Sequence, residues 1–313
     1  MQEPWERQAL TDLLHAGIKE QRSARRWGIF FKLLGFGVLL LVLAGVFGWF
    51  GPKELDSVST GPHTALVRLD GEIAAGGEGD VLPVIDGLKA AFDDRNTKAV
   101  VLEVNSPGGS PVQAGQLNDA MRALRKQHPK VPLYVVVGDI CASGCYYAAV
   151  AADKIFVDKA SIVGSIGVLM DGFGFTGAMD KVGVERRLVT AGKNKGFMDP
   201  FSPMNPEQRG KAQAMVDEIH QQFIDTVKAG RGKKLVQDEP DLFSGLVWSG
   251  ATGIKLGLAD ALGSVDSVAR DVVKAEDVVD FTTQPSYLDR FAKRVGVSAA
   301  AHLGTQLFGY SVR

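Results

Sequence analysis

At 313 residues the chain has room for one large domain or two ordinary ones, each with a real core. Its 35 Lys and Arg against 36 Asp and Glu leave a formal charge of −1, so no basic field points to nucleic acid. Two cysteines cannot build a disulfide framework or a zinc knuckle, and the histidines at 15, 63, 128, 220 and 302 have no helical metal-site spacing, so no metal is expected.

The amino end comes first. From Leu33 to Gly51 the run LLGFGVLLLVLAGVFGWFG carries no charge, and the apolar stretch reaches back past Lys32 to Trp27. At about 1.5 Å per residue it crosses a hydrocarbon layer of about 30 Å. Trp27 and Trp49 suit the two interfacial belts, where Lys32 snorkels outward. Pro52 and Lys53 follow where a cleaved signal peptide would show small residues, so an uncleaved anchor is the reading, with a buried core helix as its alternative. Lys19, Arg22, Arg25 and Arg26 precede the span, whereas Glu54 and Asp56 balance Lys53 after it; the positive-inside rule puts the amino end in the cytoplasm. The leader WERQALTDLLHAGIKEQR reads as an amphipathic helix on the inner surface or as a solvated segment.

KELDSVSTGP (53–62) is a linker by composition. Beyond it, HTALVRLDGEI and KAVVLEVNS read as strands around a helix VLPVIDGLKAAFDD, followed by a helix VQAGQLNDAMRALRKQ and a strand VPLYVVVG. Continuous apolar strands alternating with helices predict βαβ units and a largely parallel sheet. The longest helical pattern, 205–230, aligns Ala212, Met215, Ile219, Phe223 and Val227 on one face.

Chemistry in open α/β sheets gathers at the carboxyl ends of strands. Two stretches lie there. NSPGGS (105–110) ends in Gly108-Gly109 before a helix, and is either a plain turn or a source of free backbone N–H groups for an oxyanion. GDICASGCYYAA (138–149) sets Ser143 among small residues, and reads as a packing turn, a cysteine site or a nucleophile elbow. A serine nucleophile needs a base. His63, His128 and His220 sit in poor contexts for it, whereas LVTAGKNKGFMDPFSPM (188–204) supplies Lys193 and Lys195 after a strand-like VERRLVT. A lysine base must be desolvated to be neutral, and Phe197, Met198 and Phe201 offer apolar company; solvated surface charge is the other reading of the pair.

GDICASGCYYAA resembles the serine motif of the signal peptide peptidase A family, membrane-bound serine–lysine proteases of the Clp-protease/crotonase-like fold. The resemblance continues in order through NSPGG, ASIVGSIGV (160–168), AGKNKG with DPF, and SGLVWSGATGIKLGLAD (244–260), over about residues 60–265. One copy of the domain is present, as in the short form of the family. The resemblance implies Ser143 as nucleophile, Lys195 as general base, Ser165 as the residue that orients that lysine, and the N–H groups of Gly109 and Gly144 as the oxyanion hole. Cys145 stands where the family often has a second glycine, and Cys141 and Cys145 are expected to be unbridged packing residues.

The expected organisation is a cytoplasmic leader (1–27), a transmembrane anchor (28–51), a linker (52–62), an α/β peptidase domain (63–280) and a tail (281–313). The expected activity is endopeptidase cleavage of remnant signal peptides and similar apolar peptides at a bacterial inner membrane, with the catalytic domain periplasmic and no cofactor. Two rivals stand beside it: a crotonase-like acyl-CoA enzyme, and a catalytically silent membrane scaffold with a stomatin-like partner. A homo-oligomeric ring is expected, with Ser143 of one protomer meeting Lys195 of the next and hence no Ser143–Lys195 hydrogen bond within one chain. The apolar tail VGVSAAAHLGTQLFGYSVR is expected either to enter the chain's own groove or to pack on its surface.

Overall fold

The structure, a computed structural model, describes residues 5–46, 61–236 and 238–283. Residues 47–60, which hold the end of the expected anchor and most of the linker, and 284–313, which hold nearly all of the tail, lie outside the described residues. The described residues fall into two compact units, residues 5–46 in one and residues 61–283 in the other.

In the first unit, α1 (Trp5–Val46) is a single helix with no proline inside it, so the expected leader and the start of the expected anchor are one element. The apolar side chains from Ile29 to Val42 are exposed. Among the described residues no helix is long and apolar enough to cross a membrane.

The second unit is an α/β fold. β1 (His63–Asp70), α2 (Val81–Asp93), β2 (Thr97–Ser106), α3 (Pro111–Gln127) and β3 (Leu133–Ala142) form two successive right-order βαβ steps. Asp80 and Ser110 cap α2 and α3, accepting from Leu82 N–H and Gln113 N–H, and Pro111 opens α3 where a missing N–H does no harm. Then come α4 (Gly144–Ala149), β4 (Lys154–Val157), β5 (Ile162–Gly164), α5 (Thr176–Lys181) and α6 (Pro206–Arg231). β6 (Val247–Ser249), α7 (Gly250–Lys255), β7 (Ala261–Leu262), α8 (Val265–Ser267) and β8 (Val278–Asp280) complete it.

The main sheet runs β6-β5-β3-β2-β1-β8, parallel throughout except for the β5–β6 pair. β1 and β2 are buried on both faces, as a parallel sheet covered by helices requires. Leu69, Leu102, Leu117, Met121 and Tyr146 are all inaccessible within the core.

β3 forks the sheet. Its first half pairs with β4 (Tyr134–Val136 against Lys154–Phe156), and its second half pairs with β5 (Ile140–Ala142 against Ile162–Gly164). Exposed Gly138 and Asp139 lie at the fork, where Asn105 Oδ1 accepts from Ile140 N–H at 3.2 Å. The strand therefore continues to Ala142, four residues beyond the expected end at Gly138, and delivers Ser143 directly at its tip.

Two expectations are corrected. VERRLVT (184–190) forms no strand; it has no pairing neighbour and Val189 is 94% exposed. On α6, Ala212, Phe223 and Val227 are buried and Ile219 partly so, but Met215 is 41% exposed, because the first half of the helix lies beyond the core.

Candidate active site

Ser143 occupies the single residue between β3 and α4, at φ 51° and ψ −124°. A serine at positive φ costs on the order of 1–3 kcal/mol and persists only where its surroundings impose it. Three restraints are visible. Ser143 N–H donates to Gly164 O at 2.9 Å, tying the elbow to the end of β5. Ser143 O accepts from Tyr147 N–H at 2.9 Å as the first bond of α4. The third is covalent: Cys141 and Cys145 form a disulfide across Ser143. This corrects the expectation of two unbridged thiols. The end of the strand and the first turn of the helix fold back on one another, so the two Cα atoms approach to 5.2 Å, well inside bridging range.

The Gly108-Gly109 turn packs against this elbow. A Cβ added at Gly108 would lie 2.6 Å from Gly144 N and 2.9 Å from Ser143 Cβ, and one at Gly109 would collide with Ile73 O. Both glycines also have positive φ, 99° and 143°. Ile73 brackets the turn, its N–H donating to Gly108 O and its O accepting from Ser110 N–H. Gly109 and Gly144 are so close that a Cβ on Gly144 would sit 3.3 Å from Gly109 N. Neither N–H joins the turn and loop hydrogen bonds among the described residues, and Gly144, first in its helix, has no partner within it. Two adjacent free donors beside a serine hydroxyl suit a developing oxyanion.

Ser165 lies across the same site, also at φ 51°, its N–H donating to Leu246 O at 2.8 Å and its O accepting from Gly167 N–H at 2.9 Å. Ser143, Gly144, Gly109 and Ser165 line one cavity of about 640 Å³. Lys195 does not. It is exposed, lines no part of that cavity, and no hydrogen bond joins it to Ser143 or Ser165 among the described residues. Lys193, its rival, pairs with Glu207 at 3.1 Å.

Other residues of this cavity went unread in the sequence as site residues, among them Glu72, Ala114, Tyr147, Leu169 and Phe223. Tyr147 follows from helical spacing, one turn after Ser143, and its hydroxyl accepts from Thr226 on α6 at 3.0 Å. Phe223 and Ile219 come from the apolar face of α6, which covers the cavity. His220 donates from Nε2 to Ile166 O at 3.1 Å, bracing the turn after Ser165. Among the described residues no three His, Cys, Asp or Glu side chains converge as a metal site would need.

Residues 125–279 match peptidase family S49. Relatives agree: protease 4 of Haemophilus influenzae is 31% identical over 235 residues, covering 73% of this chain and 37% of that one. A candidate signal peptide peptidase SppA of Enterococcus faecium is 28% identical over 238 residues, covering 74% of this chain and 68% of that one. The chain belongs to peptidase family S49.

The resemblance to signal peptide peptidase A drawn from the motifs therefore holds. A protein named Na(+)/H(+) antiporter NhaA in Brucella abortus is 40% identical to this chain over 293 residues, 88% of its length. The chain spans only 39% of that protein's length, and the family match covers Ser143, Gly144 and Ser165 of the cavity but not Glu72, Gly109 or Ala114.

Proposed function

We propose that this S49 peptidase is a membrane-anchored serine endopeptidase that cleaves remnant signal peptides and similar apolar peptides with a Ser143–Lys195 dyad. The observation that carries the reading is Ser143 at a strained strand-to-helix junction, facing one cavity with the N–H groups of Gly109 and Gly144. In this mechanism the neutral Lys195 amine takes the Ser143 Oγ proton and Oγ attacks the peptide carbonyl. The tetrahedral oxyanion is held by the two glycine N–H groups, and the lysine returns the proton to the leaving amine. Water then attacks the acyl-serine and regenerates the hydroxyl. Ser165 orients the lysine. The forked sheet supports a Clp-protease/crotonase-like architecture.

Lys195 reaches the cavity from a neighbouring protomer in a homo-oligomeric ring. Its exposure within the chain supports this, as do the exposed apolar side chains before its loop, Leu169, Phe173, Val182 and Val189. A neighbour covering that loop removes water from the amine and favours its neutral form. Closed head-to-tail contacts generate such rings.

The anchor is residues 28–51, built on the uncharged run 33–51, with the basic flank cytoplasmic and the catalytic domain periplasmic. The exposed apolar surface of α1 supports the first assignment, and the Cys141–Cys145 disulfide, at home in an oxidising compartment, supports the second. Incubating wild type and Ser143→Ala with a synthetic signal peptide tests the activity. Products from wild type alone, identified by mass, are the expected result.

A further inference from the structure

The cavity around Ser143 is walled by Ala114, Tyr147, Ile219, Phe223 and Leu169, a lining suited to an apolar side chain. One charged side chain faces it, Glu72. This residue follows β1 and immediately precedes Ile73, whose backbone is hydrogen-bonded on both sides of Gly109. The Glu72 backbone also lies hard against Gly79, where an added Cβ would stand 2.8 Å from Glu72 C. Its carboxylate is exposed and enters no ion pair or side-chain hydrogen bond among the described residues, unlike the carboxylates of Glu103, Asp153 and Asp260, each paired with an arginine. An unpaired carboxylate therefore overlooks the Gly109 side of a groove that carries no other charged side chain of this chain.

We infer that Glu72 is a specificity-determining residue that selects peptides carrying a cationic side chain, lysine or arginine, close to the apolar residue held in the cavity. The inference rests on the peptidase reading of the same site. A cavity of about 640 Å³ is about 11 Å across, and extended peptide advances about 3.3 Å per residue, so the cation lies within about three residues of the scissile bond. The recognised group is an ammonium or guanidinium. No atom of Glu72 takes part in bond making.

Peptides with one central leucine, carrying lysine or acetyl-lysine at each of the three positions on either side, test this. Both termini are blocked, and one further set leaves the amino terminus free to separate an α-ammonium from a side-chain cation. Binding is read by fluorescence anisotropy on the full-length Ser143→Ala protein, and cleavage by kcat/KM on wild type. An exposed charge pair is worth up to about 1 kcal/mol, so lysine at the favoured position should bind about two- to fivefold more tightly than acetyl-lysine. The preference should vanish at about 1 M salt, where the screening length is about 3 Å. In Glu72→Gln the lysine/acetyl-lysine ratio should fall to about one, and in Glu72→Lys it should invert. A charge preference in binding without cleavage would retain the inference and overturn the peptidase reading. Cleavage with equal ratios in wild type and Glu72→Gln, or a preference that follows only the free amino terminus, would overturn the inference.

Discussion

Ser143 and Gly164 are joined by a 2.9 Å hydrogen bond from the serine N–H to the glycine O, and this bond couples two strand ends. The next residue along is Ser165, so both serines at φ 51° are held in one framework and face one cavity. The tips of β2, β3 and β5 thus bring the Gly108-Gly109 turn, Ser143 and Ser165 together as a unit.

Gly108 and Gly109 should tolerate no side chain. In Gly108→Ala the new Cβ meets Gly144 N at 2.6 Å, displacing one donor of the proposed oxyanion hole at a φ of +99°. Loss of one such donor lowers kcat by about 10²–10³, the expected fall. Steady-state kinetics alongside a thermal melt check it. A folded Gly108→Ala protein with wild-type kcat would contradict the assignment.

The disulfide should act mainly on the elbow. Cross-linking five consecutive residues restricts the unfolded chain by about 2 kcal/mol on the loop-entropy account. The Cys141→Ala/Cys145→Ala protein should melt about 4–8 °C lower, a shift suited to a domain of this size. Its Ser143 should also react more slowly with an acylating probe. Equal melting temperatures and rates would show that hydrogen bonding alone holds Ser143.

Acid should weaken the fold through Asp260. Burial pushes this carboxyl up, but hydrogen bonds from Arg231, Lys234 and Ile155 N–H outweigh that and hold it below the ordinary carboxylate range. Because the folded pKa is the lower one, the stabilisation is complete above the unfolded value of about 3.9 and is lost as pH falls through the folded value. Urea unfolding at a series of pH values should show this loss in wild type and not in Asp260→Asn. At neutral pH that variant leaves Arg231, 3% exposed, without its counter-charge, and should lose about 3–5 kcal/mol.

Lys195→Ala should abolish cleavage and Lys193→Ala should retain most of it, since the Lys193 ammonium is engaged with Glu207. If the dyad is shared between protomers, mixing and reassembling Ser143→Ala and Lys195→Ala proteins should restore about a quarter of wild-type activity, the chance that a head-to-tail contact pairs two intact halves. No recovery, with both proteins properly assembled, would place the dyad in one chain.

Much of this was legible in the sequence because it depends on local order. Apolar runs mark β2 and the helices α2, α3 and α6 within a residue or two, and place β1 and β3 with their carboxyl ends three and four residues off. Glycine pairs and a serine at strand ends mark the site. Other features depend on tertiary pairing that no short stretch encodes. β3 runs on to Ala142 because β5 takes over from β4 beyond the fork. The disulfide depends on the fold-back at Ser143, and Glu72 faces the cavity only because Ile73 pairs beside Gly109. The LGLAD motif reads as family signature in sequence, but in the fold it is structural. A Cβ at Gly257 would collide with Lys234 O, and Asp260 ties β4 to the end of α6.

The central claim is that Ser143 is the nucleophile, and covalent labelling of the assembled protein with a serine-reactive fluorophosphonate, followed by peptide mapping, tests it most directly. The account predicts a single adduct on Ser143, blocked by prior incubation with an apolar peptide and absent from Ser143→Ala. An adduct on another residue, or peptide cleavage by Ser143→Ala at the wild-type rate, would contradict it.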